Sequence, residues 1–405
     1  MVFNLFPRSP WLRGKQELAA QNPSEAGSPR IFLTGVTGFV GGAIAANLAG
    51  SASFKEMLFL VRAQSAAEGV RRVRASIARF TRSAAPPAVS ERQIILADLK
   101  DPQAFSDARL NDVTHVIHSA AVTSFADRPD IWEVNVNATL RLAARFSGHT
   151  RLRRFVYVGT AMACGVARGP VVTESMRLPE ERAHLVPYTA SKAQAENQLR
   201  ERFPELPLVS VRPSIIIGHS ALGCKPSASI FWILKLVSQL NRFVCPPTAH
   251  LDIVPVDYCA QTIVALTLKE TLGFSAYHIA AGLNGSAMVE ELLQAFHSMD
   301  GTAAGQPYER VSEEALLPLA RSYSSRYAAE NRVAKEPGSG LLNIRMLHKA
   351  LMLYGRFSKL NYIFDTQRLL SEGLAPAPSF LDYIGRCDRS TRKLSLKAQM
   401  AYDFK

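Results

Sequence analysis

Residues 30–42 read RIFLTGVTGFVGG, a short apolar run that breaks into glycines at 35, 38 and 41, and AIAANLA follows directly. The opening residues have the length and content of a buried strand, and the alanine-rich continuation suits a helix. A glycine-rich turn between the two lets the backbone approach a pyrophosphate. The helix N-terminus beyond it offers unpaired N–H groups and the positive end of a dipole. A glycine triplet alone is a weak signal; here it follows a strand and opens a helix, which is the context that gives it meaning. Residues 31–49 carry no charge and reach membrane-span length, but four glycines punctuate them and the first half reads as a strand.

The same alternation continues outward. Strand-like runs recur at 58–62 (LFLVR), 93–99 (QIILADL), 114–122 (THVIHSAAV), 153–160 (RRFVYVGT), 206–214 (LPLVSVRPS) and 277–281 (YHIAA), with helical patterns between most of them. Apolar strands alternating with helices predict an α/β fold, a doubly wound parallel sheet covered on both faces. After residue 285 the pattern turns to helices and loops, with helices expected at 288–299, 313–329 and 341–357. Three parts follow: a flexible polar tail at 1–29, a sheet domain at 30–285 and a mostly helical region at 286–405. The tail opens with MVFNLFPRSPWLRG, whose aromatics and arginines suit contact with a membrane or a partner.

Composition sets outer limits. The 405 residues are 47% hydrophobic and 20% charged, which fits a globular chain and argues against global disorder. Five cysteines without a CxxC spacing argue against a disulfide framework or a zinc site and for buried thiols in a reducing compartment, the cytoplasm. A net charge of +13 admits nucleic acid, an anionic membrane or a phosphorylated ligand. No nucleic-acid-binding signature accompanies the charge, and the basic end RSTRKLSLKAQMAYDFK reads as solvated.

Candidate site residues fall at the strand ends. Thr34, Gly35, Thr37, Gly38, Phe39, Val40 and Gly41 form the turn expected to hold a dinucleotide. Arg62 closes the second run where an acidic residue would bind the ribose 2′-hydroxyl of NAD, and an arginine there suits a 2′-phosphate, so the expected cofactor is NADPH. Between Arg62 and Arg92 seven arginines face two glutamates. That excess suits the phosphates of a cofactor or carrier-linked substrate, or a solvated basic helix face. Asp98 closes the third run and can accept from the adenine amino group. Leu99, Ala120, Asn135 and Pro213 complete the expected cofactor contacts, with Asn135 holding a water or backbone group behind a lysine.

PYTASK at 187–192 opens a helical run that puts Tyr188 and Lys192 on one face. A nearby ammonium would lower the phenol pKa and let it exchange a proton with a carbonyl or alcohol oxygen. Lys192 can also hold the nicotinamide ribose. Thr160, just past the fifth run, can donate to a developing oxyanion. His118 is expected to line the cleft, and Asp252 and Asp257 to fix a loop by hydrogen bonds rather than bind metal. Residues 229–244 (SIFWILKLVSQLNRFV) read as an apolar helix that lines an acyl tunnel, touches a membrane surface or packs into a core.

The glycine turn, Thr160, Tyr188 and Lys192 together resemble the extended short-chain dehydrogenase/reductase superfamily over residues 30–285. LVRA, HSAAVTSF, NVNAT, RPSIIIG, DIVPVDYCAQTI and FDTQRLLSEG are similar to segments of its thioester-reductase and fatty acyl-CoA-reductase branch. Gly159 and Ala138 depart from the usual serine and glycine, and a Pro-Gly-Trp-like element after RPSIIIG is missing. The resemblance implies a Rossmann domain with a smaller substrate lobe. It implies NADPH-dependent reduction of an acyl thioester, on coenzyme A or an acyl carrier protein, to an aldehyde or a primary alcohol. Thr160, Tyr188 and Lys192 would then be catalytic. Two other readings stay open: an alcohol or sterol dehydrogenase or nucleotide-sugar epimerase using the same Tyr–Lys pair, and a non-catalytic dinucleotide sensor.

Overall fold

A computed structural model describes residues 28–81, 87–125, 128–167, 169–227, 230–300, 307–333 and 342–403. Nearly all of the expected tail, and Arg82, lie outside the described residues. Seven strands form one sheet: β1 (Ile31–Thr34), β2 (Leu58–Val61), β3 (Ile94–Leu96), β4 (His115–His118), β5 (Arg154–Val158), β6 (Leu208–Pro213) and β7 (Ala276–Ile279). Their order is β7-β6-β5-β4-β1-β2-β3, and every pairing is parallel.

The strands are apolar throughout because both faces are covered. Ile31 and Leu33 enter one core with Val61, Val156 and Val211, while Phe32 points the other way, to Leu60, Val116 and Tyr157. Helices α1 (Phe39–Leu48), α2 (Ala66–Ala78) and α6 (Val256–Leu268) cover the first face; α3 (Ala138–Phe146) and α4 (Pro187–Arg202) cover the second. Strand order reverses between β1 and β4, and the crevice at their carboxyl ends is where such sheets bind ligands.

A second, smaller core lies on the lobe side. The insertion after β6 supplies α5 (Phe231–Leu240), and the C-terminal third supplies α7 (Val289–Asp300), α8 (Leu316–Val333), α9 (Ile344–Lys359), α10 (Ile384–Thr391) and α11 (Leu396–Asp403). Trp232 and Leu236 of α5 share this core with Leu293, Leu316, Leu347 and Leu351. The lone cation of α5, Lys235, reaches the buried carboxylate of Asp388 on α10 at 2.7 Å. Phe231, Trp232, Ile233, Leu236 and Val237 of α5 are buried in the lobe. Among the described residues, no helix is long and apolar enough to cross one.

The expected helix at 229–244 stops at Leu240, because Asn241 turns left-handed (φ 50°) and Arg242–Phe243 pairs with Glu309–Arg310 as a short strand. The basic C-terminal end, expected to be solvated, is only partly so. It forms α11, which keeps Lys397 in solvent and buries Met400 in the lobe core.

Candidate active site

A cleft of about 780 Å³ runs from the glycine turn and the ends of β1, β2 and β4 across to the lobe. At its floor Gly35 adopts φ +79°, and a Cβ there would lie 2.6 Å from the amide nitrogen of Ala120. A Cβ on Gly41 would lie 2.2 Å from the carbonyl oxygen of Gly35. Only glycine satisfies both constraints. Helix α1 begins after Gly38 with neither a side-chain cap nor an acidic residue in its first turn, so no capping side chain competes for its N-terminal N–H groups. Arg79, at the C-cap of α2, donates to the carbonyls of Thr37 (3.0 Å) and Gly38 (3.2 Å), tying the turn in place. This cradle fits a dinucleotide pyrophosphate.

Arg62, Arg72, Asp98 and Leu99 line the outer end of the same cleft, and Ala120 lies nearer the turn. The Arg62 side chain is 74% exposed and 3.5 Å from the Asp98 carboxylate, and the Arg72 guanidinium donates to the Arg62 carbonyl. Strand β3 ends at Leu96, so Asp98 sits two residues beyond it rather than closing it.

Four expected cofactor contacts stand behind the cleft wall: Lys192, described below, and three others. Thr34 is fully buried, with its hydroxyl 2.7 Å from His118 Nδ1. Pro213 is buried at the end of β6, and its neighbour Ser214 reaches the cleft. Asn135, in a π-turn, accepts from the Val122 amide (2.8 Å) and donates to the Val122 carbonyl (3.0 Å) and to Ser191 Oγ (2.9 Å). It fastens the loop after β4 to the helix that carries Tyr188.

His118 is a correction. The register pairs it with Thr34 inside the sheet, and its Nε2 meets Thr139 Oγ1 at 2.8 Å, so it is buried and does not line the cleft. Burial, reinforced by Lys192, pushes its pKa down to about 3 and keeps the ring neutral.

Thr160 and Tyr188 both line the cleft. Thr160 follows β5 and accepts from the Met162 amide, which leaves its own proton available. Tyr188 sits in the first turn of α4, started by Pro187. Lys192 lies one turn deeper, 2% exposed. Its ammonium donates to the Val158 carbonyl at 2.7 Å and stands 4.6 Å from the Tyr157 ring centroid. Burial pushes Lys192 down to about 7 against the pull of Glu196, and burial pushes the Tyr188 phenol up to about 12. The expected lowering of the phenol is thus reversed, because desolvation dominates and the lysine points at a carbonyl. One further turn along α4, buried Glu196 pairs with buried Arg212. Burial raises Glu196, but Arg212 and Arg200 outweigh it and hold the carboxyl below its ordinary range.

Several cleft residues were not foreseen. Phe125 lies within the HSAAVTSF segment, and its ring centroid is 6.4 Å from Tyr188, 5.9 Å from Tyr354 and 5.7 Å from Phe357. Tyr354 and Phe357, on α9, reach the cleft through tertiary folding and have no local signal. Asp252 and Asp257 fix backbone as expected. Asp252 accepts from the amides of Ala281 (2.8 Å) and Gly282 (3.0 Å), and Asp257 accepts from the Ser220 amide (2.8 Å). All five cysteines are free and buried.

A glycine cradle at the β1/β4 reversal, with a hydroxyl after β5 and a Tyr–Lys helix beside it, defines an oxidoreductase of the extended short-chain dehydrogenase/reductase superfamily. Residues 33–263 match the NAD-binding family described as Male sterility protein, and the chain belongs to that family. It is 26% identical over 268 residues to the non-canonical nonribosomal peptide synthetase FrzA of Cladobotryum sp, covering 62% of this chain and 26% of that protein. It is 26% identical over 274 residues to the aldehyde reductase lnbA of Aspergillus flavus, with the same coverage. The chain thus spans about a quarter of the length of these relatives. Among solved structures it is similar to the terminal R domain of the myxalamid PKS-NRPS pathway (TM-score 0.69, 21% identity, 91% of this chain and 92% of that one). It is also similar to a thiolation-reductase di-domain of an archaeal nonribosomal peptide synthetase (TM-score 0.66, 18% identity, 91% and 76%).

Proposed function

We infer that the chain reduces an acyl thioester to an aldehyde with NADPH. One observation carries this reading: two hydroxyls, of Thr160 and Tyr188, open on one cleft between a dinucleotide cradle and an apolar lobe. The relatives named as an aldehyde reductase and as synthetase reductase domains support a thioester carried on a protein; coenzyme A is the alternative carrier.

The turn at 35–41 and the N-terminus of α1 would hold the pyrophosphate. Arg62 and Arg72 would meet a 2′-phosphate, and Asp98 the adenine amino group. Bound there, NADPH supplies a hydride. The protein's own part is to receive the charge that develops on the thioester oxygen. Thr160 and Tyr188 donate to that oxygen, and such donors contribute most where water is excluded. Tyr188 then gives it a proton. A phenol held at about 12 is fully protonated at neutral pH, which is the form a reduction needs. To hold the nicotinamide ribose and return a proton to Tyr188, Lys192 would have to turn from the Val158 carbonyl toward the cleft. When the hemithioacetal carbon–sulfur bond breaks, the thiol leaves with a proton and the aldehyde remains.

The test is loss of NADPH absorbance with acyl-coenzyme A and acyl-carrier thioesters, with the product identified by mass. Aldehyde formation with release of one thiol per NADPH is expected. NADPH binding with no thioester turnover, alongside oxidation of an alcohol, would overturn the reading.

A further inference from the structure

A 2′-phosphate explains only part of the arginine excess that follows Arg62. Arg62 and Arg72 line the cleft; Arg79 stands behind the glycine turn instead. One of its guanidinium nitrogens lies within 3.2 Å of three oxygens, the carbonyls of Thr37 and Gly38 and Ser76 Oγ. Ser76 Oγ in turn donates to the Val36 carbonyl at 2.7 Å. The Gly35 carbonyl accepts from the Gly38 amide at 2.9 Å. All four carbonyls from Gly35 to Gly38 are therefore engaged within the turn or by the end of α2. None is left to repel an anion that enters the cleft.

The N–H side follows from this. A trans peptide sets its N–H opposite its C=O. With the Gly38 carbonyl held from behind, the Phe39 N–H at the start of α1 faces forward, into the cleft that Phe39 lines. The grip is also braced: the Phe80 ring packs on Phe39 with centroids 5.9 Å apart, and the Arg79 guanidinium carbon lies 5.5 Å from the Phe80 centroid. A cationic donor on a carbonyl polarises the whole peptide, and linked hydrogen bonds strengthen one another by roughly 10–30%.

We propose that Arg79 is a positioning residue for the cofactor's pyrophosphate. It grips the turn from behind, aims the N–H groups of α1 at the phosphates and adds a positive charge that acts through the peptide layer. The proposal rests on the dinucleotide part of the reading above. NADPH and NADH carry the same pyrophosphate, so Arg79 serves both alike. Arg62, placed for the 2′-phosphate, serves only one.

The test is calorimetry on the full chain with three probes: NADPH, NADH and adenosine 2′-monophosphate, which lacks the pyrophosphate. Arg79→Met should weaken both dinucleotides equally, by about tenfold, and leave adenosine 2′-monophosphate unchanged. Arg79→Lys keeps the charge and should recover most of the loss. Salt separates the charge from mere support of the turn. NADH affinity should fall less steeply with ionic strength in Arg79→Met than in the wild type or Arg79→Lys. If Arg79→Met does not fold, Arg79→Gln takes its place in each comparison. Unchanged NADH affinity, or a loss with an unchanged salt slope, overturns the proposal. A loss confined to NADPH and adenosine 2′-monophosphate overturns it too, by assigning Arg79 to the 2′-phosphate. A wild-type chain that binds neither dinucleotide overturns the proposal and the cofactor reading together. The expected binding pattern with no reduction of any thioester would keep the role of Arg79 and overturn the reductase.

Discussion

On the sheet side of the cleft, polar side chains are buried and paired one to another. Thr34, His118 and Thr139 form one chain of contacts, Asn135 and Ser191 a second, and Glu196 and Arg212 a third. On the lobe side, the wall is a patchwork of aliphatic and aromatic groups with space left between them. The contrast separates two tasks. The polar side holds groups at fixed geometry, and each of its members leaves a buried partner stranded if removed. The apolar side is held by packing alone and tolerates changes of shape.

The largest break in this contrast should come from Tyr188→Phe. Turnover should fall by ~10²–10⁴-fold while NADPH affinity, read by calorimetry, stays the same. Comparable turnover would take Tyr188 out of the chemistry. Next, Glu196→Ala strands the buried Arg212 guanidinium and should cost about 3–5 kcal/mol in urea unfolding. A loss under about 1 kcal/mol would mean the pair is dispensable to the polar side. Arg62→Ala should weaken NADPH by roughly 10–100-fold, the value of a charge-assisted contact, and leave NADH unchanged.

A smaller effect is a pH slope from Asp252, which burial pushes up to about 6, against 3.8 for an ordinary aspartate. A raised folded pKa means the native state binds the proton more tightly than the unfolded chain. Its stabilisation is full below pH ~4 and is lost as pH rises through about 6, on the order of 3 kcal/mol at most. Asp252→Asn should flatten that slope in melts taken from pH 4 to 7; an unchanged slope would assign it to other groups. The smallest expected effect is on the lobe wall. Ile253→Val removes one methyl from it and should cost only about 0.5–1.5 kcal/mol. A larger loss would show that this side is as exacting as the other.

Legibility in the sequence divides along the same line. The β1–α1 turn and the Tyr–Lys pair are local patterns, so glycine spacing and helical period announce them. The seven strands were legible as apolar runs, although several end earlier than those runs suggest, because the last residues leave the sheet to build the cleft. His118 was misplaced because a strand end carries no mark of which face its side chain takes; only pairing with Thr34 sets that. Asn135 was recognised as an anchor, but its partners come from two other elements. The grouping of Phe125 with Tyr354 and Phe357 exists only after α9 has docked, and no period in either segment foretells it.

The lobe core joins α5, early in the chain's second half, to helices that end it. During synthesis the strands through β7 emerge first and can close their sheet. Helix α5 has emerged by then; α7 covers part of its apolar face about fifty residues later, and the cover is complete only when α9 follows, roughly a hundred residues after α5. At ~5–20 residues per second that is about 5–20 s of exposure. The newborn chain therefore passes through a stage in which a nearly finished nucleotide domain displays a sticky helix. In that interval a chaperone gains its clearest handle, and a truncated product its strongest tendency to aggregate.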